Sequence, residues 1–429
     1  MTSKLYIETI LHGLPRFHKI PGLSRIKLFI EENNLKYPGY NIVVAGTNGK
    51  GSLACMSENI LRLSGYDVGV LRSPHIYDPC ERISFNSQYI NETQFAEIIR
   101  FCIDFYRERK IRATLADITT ACALYYFSEV RTPDISIFEV GMGGKLDPAN
   151  IVPRNISIIT KVGRDHTGVL GEYPEGPARA KSGVIKPDTP LLTAESNQDA
   201  IDIFKKACLK NGSDFINVHP PEITGINDKG TEFVYNGRKY LTSMVGYEQG
   251  NNAVLALEAL DIMRKSGFNI PDTAVAEGLI KSRLPWRMEV FSGNPMIIFD
   301  GAHNREGWEN LKCTLQLLPY KNLHMIFTVG KSKHPEDFPR NFPGEKVFLH
   351  IPQIDRKNYF GTQDIFKKIH GFRGEKIVYD NLESAIKNAI KKIKPGDLLL
   401  VTGSFGMARE VRDYFSKHLD NVKSKSMDM

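Results

Sequence analysis

A lysine set among three glycines and followed by a hydroxyl is where chemistry first becomes legible in this sequence: Gly46-Thr47-Asn48-Gly49-Lys50-Gly51-Ser52. Bare loop amides can face an anion, Lys50 can neutralise terminal phosphates, and the Ser52 hydroxyl can reach a magnesium ion held by them. The common phosphate loop ends Gly-Lys-Ser/Thr, whereas here Gly51 is inserted before the serine. Three glycines around one lysine give more backbone freedom than a plain strand-to-helix turn requires.

Three further constellations follow apolar runs. Glu139 precedes the glycine loop Val140-Gly141-Met142-Gly143-Gly144, where a carboxylate suits the metal bound to phosphates. His166, in Asp165-His166-Thr167, takes the matching place after the next run. Alone it would more often be structural; beside Glu139 and the loop it reads as a ligand. Asp300-Gly301-Ala302-His303-Asn304 sets three polar side chains at another strand end. Lys181, in Ala178-Arg179-Ala180-Lys181-Ser182-Gly183, reads on bare sequence as a surface lysine.

The elements that must position these groups alternate. Asn41–Ala45 reads as a buried strand and Leu53–Leu63 as a helix ending at Gly65. Strands are expected at 67–71, 135–138 and 156–162, with helices at 26–33, 92–107 and 119–128. Segments from 213 to 247 shorten and alternate, with turn signals at Asn227–Gly230 and Tyr235–Arg238, which predicts a small antiparallel meander. Helix returns at 251–264. Beyond Ser282–Arg287, strands at 296–299, 323–329 and 397–401 alternate with helices at 305–318 and 382–393. The fold class is therefore α/β: a mostly parallel N-terminal sheet of the phosphate-loop type with helices and a small meander, then a smaller Rossmann-like α/β domain. The expected domains are 1–285 and 286–429. Polar residues at the carboxyl ends of strands place ligands there, and two such domains imply two substrates meeting.

Length and composition are compatible with this. The chain has 429 residues, 41% apolar and 24% charged, a balance typical of globular domains. Its longest apolar runs are strand-sized, so no membrane span is expected. Six scattered cysteines without a C-x-x-C pair argue against zinc or a disulfide framework and fit a reducing cytoplasm. The net charge of +7 is spread out; the tail cluster Lys417, Lys423, Lys425 reads as a solvated end, not a nucleic-acid footprint.

Together these motifs resemble the Mur ligase superfamily, and specifically its folate branch, the folylpolyglutamate synthases/dihydrofolate synthases. The resemblance rests on the glycine loop, Ser73-Pro74-His75, Glu81-Arg82-Ile83, Glu139 to Asp147, Asp165-His166-Thr167, Lys181 to Pro187 and Asp300 to Asn304, in order from about residue 17 to Gly403-Ser404-Phe405. It implies that Ser73, Glu139 and His166, with Ser52, hold magnesium, two ions in all. It implies that Thr47, Asn48, Gly49, Lys50, Gly51, Ser52, Asn252, Arg287 and Asp300 bind ATP. Lys181 falls on a lysine that the family carbamylates, and His303 and Ser404 on its glutamate site. Gly22, Leu23, Ala116, Asp117, Leu146 and Asp147 fall where the pterin is held. Lys50, Lys181, Asp300 and His303 are the candidate catalytic set. Such enzymes activate a pterin carboxylate with ATP and join it to the amine of L-glutamate, releasing ADP and phosphate, as cytoplasmic monomers with small-molecule partners only. The family often has Phe-Glu where this chain has Ala116-Asp117, and glutamate where it has Ala180.

Two rivals remain in view. A cell-wall Mur ligase, acting on another carboxylate acceptor, carries a domain of roughly a hundred residues before the loop. Only 45 residues precede Gly46 here. A phosphate-loop ATPase or kinase leaves the Asp300 motif without a role.

Overall fold

The computed structural model describes residues 2–16, 22–354 and 356–418. Residues 17–21, where the resemblance begins, and the tail lysines Lys423 and Lys425 lie outside them. Eight strands form the first sheet, in the order β4-β3-β2-β5-β1-β6-β7-β8. They are β1 Tyr40–Ala45, β2 Val68–Leu71, β3 Ile83–Phe85, β4 Gln88–Tyr89, β5 Ile135–Glu139, β6 Ile156–Ile159, β7 Leu191–Thr193 and β8 Phe215–Asn217. β1 runs parallel between β5 and β6, and β2, β7 and β8 extend the parallel set; β3 and β4 form an antiparallel edge. Consecutive apolar residues such as Ile42, Val43 and Val44 are buried, as strands covered on both faces require.

The strand order reverses around β1: the chain steps from β1 out to β2 on one side, and later from β6 out to β7 and β8 on the other. In open parallel sheets the crevice at the carboxyl ends of such strands receives ligands. Directly after β1, Gly49 in the left-handed region (φ 88°) starts the helix Lys50–Leu63. That helix is clamped by Asp272–Lys281, whose Gly278 sits so close that an added Cβ would lie 2.7 Å from Ile60 Cα. A side chain there would force the helices apart.

The remaining strands make two sheets. β9 Glu222–Asn227, β10 Gly230–Tyr235 and β11 Arg238–Thr242 form the expected antiparallel meander. β12 Glu289–Gly293, β13 Met296–Phe299, β14 Leu323–Phe327, β15 Val347–Pro352, β16 Glu375–Tyr379 and β17 Leu398–Thr402 form a six-stranded sheet ordered β12-β13-β17-β14-β15-β16. All but β12 are parallel.

The chain divides into two compact units: residues 1–163, 167–220 and 251–282 in the first; 164–166, 221–250 and 283–429 in the second. The meander, expected with the first sheet, therefore groups with the second unit. The reason is burial: Ile226 and Val245 join the core built on Trp308, Phe327 and Leu349. Local differences also have causes. β6 stops at Ile159, not Val162, because Thr160 and Lys161 turn to the glycine loop, Thr160 Oγ1 donating to Asn48 O at 2.6 Å and Lys161 O accepting from Thr47 N at 2.8 Å. The helix expected from Thr119 begins at Leu115, capped by Thr114. All six cysteines are free. Among the described residues, no helix is long and apolar enough to cross a membrane.

Candidate functional site

In the first unit the glycine loop is held from three directions. Lys50 Nζ donates back to Gly46 O (3.0 Å) and Thr47 O (3.3 Å), so the ammonium crosses the mouth of its own loop. Thr47 Oγ1 accepts from Gly163 N at 2.8 Å. Gly46 has φ 145°, and an added Cβ would lie 1.8 Å from Thr160 Oγ1; at Gly49 it would lie 2.2 Å from Asn252 Oδ1. The inserted-glycine loop thus sits against Asn252, one of the residues the resemblance assigns to ATP. Ser52, in the first helical turn, is buried.

Beside it, β5 delivers Glu139, whose Oε2 accepts from Ser73 N at 3.2 Å. Ser73 Oγ would be 3.5 Å from a Cβ on Gly141. Arg82, buried and held by His75 Nδ1 (2.8 Å), feels burial push its pKa down to about 10 while the charge of Glu139 opposes the shift. Asp147 ties the glycine loop after β5 into shape: Oδ2 accepts from Gly141 N (3.1 Å) and Met142 N (3.2 Å), and Oδ1 from Ala149 N (3.0 Å). Burial raises its carboxyl to about 6, against these donors and the charge of Lys50. Asp147 is therefore a loop organiser, while its neighbour Leu146 stands exposed.

Lys181 is not a surface lysine. It is 3% exposed, and its backbone packs on the same glycine loop: a Cβ on Gly144 would lie 3.1 Å from Lys181 Cα, and Lys145 N donates to Ala180 O at 2.9 Å. Sequence reading missed this because burial came from the loop 40 residues earlier, not from the lysine's own helix.

The donor set suits a hard cation. Serine hydroxyl and carboxylate oxygen are magnesium-type ligands when phosphate and water complete the shell. Among the described residues there is no group of three or more His, Cys, Asp or Glu that could hold a metal ion.

The second unit gathers a different cluster around Asp165. Lys333 Nζ lies 2.6 Å from Asp165 Oδ1, His303 Nε2 3.5 Å from Oδ2, and Asn304 Nδ2 donates to Oδ2 at 3.4 Å. Burial alone would raise this carboxyl; the His303 hydrogen bond and the charges of Lys333, His303 and His166 outweigh it and hold it well below the usual carboxylate range. His166 sits at φ 54° with Nε2 3.9 Å from Asp165 Oδ1. Lys333 had no signal in the sequence, since its partner is 168 residues away.

Asp300, at the end of β13, accepts from Met288 N (3.0 Å) and Ala302 N (2.8 Å) and has its pKa raised by burial, with Arg287 opposing. Arg287 stacks over Phe405, 4.6 Å from its centroid. His303 Nδ1 bonds Gly301 O at 2.7 Å, which leaves Nε2 toward Asp165. Ser404 Oγ is 2.5 Å from the Tyr359 hydroxyl.

Of the expected pterin residues, Gly22 and Asp117 are joined through Arg25, whose Nη2 donates to Gly22 O at 3.4 Å and whose Nε donates to Asp117 Oδ2 at 2.8 Å. Asp117 is fully buried, and its Oδ2 accepts from Thr114 N, Thr114 Oγ1 and Arg25 Nε at 2.8–2.9 Å. It is first a helix cap and ion-pair partner, a role its Thr-x-x-Asp spacing could have suggested. Only Oδ1 lacks a partner. Ala116 and Gly22 are half-buried. Leu23 lines a cavity described below.

Residues 286–405 match the family described as "Mur ligase, glutamate ligase domain". The chain is 29% identical over 420 residues to the dihydrofolate synthase/folylpolyglutamate synthase of Bacillus subtilis, covering 94% of this chain and 96% of that protein. A folylpolyglutamate synthase structure from Thermotoga maritima superposes with a TM-score of 0.79 at 28% identity, covering 96% of this chain and 97% of the other. The bifunctional folylpolyglutamate synthase/dihydrofolate synthase of Yersinia pestis, complexed with AMPPNP and Mn ion, gives 0.82 at 23% identity, over 97% and 98% of the two chains, a likeness of fold.

Residues 286–405 thus resemble the glutamate ligase domain of Mur ligases, and the chain as a whole shares its fold with a folylpolyglutamate synthase. Within that class the chain resembles the folylpolyglutamate synthase/dihydrofolate synthases along nearly its whole length.

Proposed function

We propose that this protein uses ATP to join L-glutamate to dihydropteroate, to the γ-carboxylate of a reduced folate, or to both. The observation that carries the reading is the glutamate ligase domain over 286–405, which contains Asp300, His303 and Ser404. Residues 1–285 then supply the nucleotide and pterin sites and 286–429 the glutamate site.

The acceptor carboxylate attacks the γ-phosphorus of ATP, forming an acyl phosphate and releasing ADP. The unprotonated amine of glutamate attacks the acyl carbon, and phosphate leaves as the tetrahedral intermediate collapses to the amide. In this chain Lys50 moves its ammonium from the carbonyls of Gly46 and Thr47 to the transferring phosphoryl oxygens. Loop amides from Asn48 to Ser52 face the phosphates, and Asn252 backs the loop. His303 and Ser404 take the glutamate carboxylates, and orientation of the two substrates provides much of the acceleration. In the first unit Ser52, Ser73 and Glu139 are the residues that would hold magnesium, whose charge, when bound, screens the phosphates. Lys181 is the candidate for carbamylation: converting a buried ammonium to a carbamate turns an expensive buried cation into a ligand oxygen.

ADP release is measured with purified protein and glutamate, offering dihydropteroate, tetrahydrofolate or a UDP-sugar peptide. Turnover with either of the first two is expected. Turnover with the last alone, or ATP hydrolysis indifferent to all three, overturns the proposal.

A further inference from the structure

A cavity of about 490 Å³ opens in the first unit, lined by Leu23, Tyr37, Ile151, Arg154, Lys186 and Thr189 among others. Its position follows from the topology. Tyr37 precedes β1, Arg154 precedes β6, and Lys186 and Thr189 precede β7, so it lies at the amino ends of these strands. The glycine loop and Glu139 occupy the carboxyl ends. The cavity is therefore at the opposite end of the sheet from the candidate phosphate site, and its size suits a small organic molecule.

Its electrostatics are unusual. Arg154 is 9% exposed, and all four of its terminal guanidinium donors go to neutral oxygens: Nη1 to Asn150 Oδ1 (2.7 Å) and Val184 O (3.2 Å), Nη2 to Asn150 O (2.6 Å) and Val152 O (2.5 Å). Nε is buried with no partner. Among the described residues, neither Arg154 nor Lys186 has a carboxylate within ion-pair distance. Burial pushes Arg154 down to about 10, and burial followed by the charge of Arg154 pushes Lys186 down, with no acidic group opposing either shift. A guanidinium remains protonated under such conditions, so two like charges flank one cavity without a counterion. Apart from Asn150 and Thr189, the rest of the wall, with Leu23, Ile151, Val152, Pro153, Pro187 and the ring of Tyr37, is apolar or aromatic.

We propose that this cavity binds a small organic oxyanion, a carboxylate or phosphate carried on an apolar or aromatic body. The anion lies between Arg154 and Lys186, and the body lies against Tyr37, Leu23 and Ile151. Because the site stands at the amino ends of the strands, its occupant is not the nucleotide, and displacement of benzoate by dihydropteroate would make it the acceptor's own site and overturn the proposal of a second ligand.

Replacing Arg154 would break four structural hydrogen bonds, so the test uses Lys186→Glu and Tyr37→Ala, with circular dichroism to confirm folding. Benzoate is the organic probe and inorganic phosphate the bare oxyanion, both followed by saturation-transfer NMR and calorimetry. Saturable benzoate binding weakened roughly tenfold by Lys186→Glu is expected, as reversing one of two charges at contact distance requires. Tyr37→Ala should weaken benzoate while leaving phosphate binding unchanged; loss of both or neither refutes the assigned body position. Absence of saturable benzoate binding, binding indifferent to Lys186→Glu, or displacement of benzoate by ADP overturns the site.

Discussion

Gly49 and Gly65 bracket the same helix, and replacing each with alanine separates backbone strain from contact. Both have positive φ, 88° and 92°. A Cβ in the left-handed region costs roughly 1–2 kcal/mol. At Gly65 nothing lies within 4 Å of the added Cβ, so Gly65→Ala should cost only that strain. At Gly49 the Cβ would lie 2.2 Å from Asn252 Oδ1 and 3.1 Å from its Cγ. Ordinary contact needs about 1 Å more, so the asparagine must leave its rotamer or the loop must move, adding about 1–2 kcal/mol. The expected losses are therefore about 1–2 kcal/mol for Gly65→Ala and about 2–4 kcal/mol for Gly49→Ala. Because Asn252 backs the nucleotide loop, Gly49→Ala should also raise KM for ATP roughly tenfold, about 1.4 kcal/mol of lost binding, whereas Gly65→Ala should leave it unchanged. Urea denaturation of both variants, with ADP release against ATP concentration, reads the two effects. Equal stability losses and an unchanged KM in Gly49→Ala would refute the loop-to-Asn252 contact.

Three other perturbations follow from particular side chains. Lys181→Ala should abolish ligation and regain part of it with added acetate or formate, read by ADP release; an unaffected variant would remove Lys181 from the site. Asp165→Asn should destabilise the second unit by about 2–4 kcal/mol at neutral pH, because Lys333 loses its buried partner. The folded carboxyl lies below its unfolded value, so its stabilisation is present above about pH 4 and fades as pH falls; the stability difference between wild type and variant should shrink steadily as pH is lowered below about 4. His350 stacks on His324 and bonds the Tyr379 hydroxyl at 2.9 Å, with burial and then His324 lowering its pKa to about 3. Unfolded histidine takes a proton near pH 6.5, so stability should fall from there toward pH 3 by up to about 1.4 kcal/mol per unit. His350→Gln should flatten that part of the profile, measured by thermal melts across the range.

Much of the nucleotide side was legible because its signals are local. Glycine at 46 and 49 answers to positive φ, the apolar run before it to a buried central strand, and Glu139 to a strand end. The cap formed by Thr114 and Asp117 is equally local, its Thr-x-x-Asp spacing being that of a capping box, while the resemblance places the same aspartate at the pterin site. The meander was visible as three alternating segments, but its allegiance was not.

The sequence alone determined the α/β alternation, the carboxyl-end placement of the polar motifs and the glycine loop, since dihedral preference and hydrophobic period act over a few neighbouring residues. Tertiary structure alone decided that Lys181 is buried, that Lys333 and His303 meet on Asp165, and that Arg154 and Lys186 share a cavity at the amino ends of the strands. Burial and electrostatic partnership depend on segments that arrive from tens to more than a hundred residues away, and the sheet's strand order brings them together.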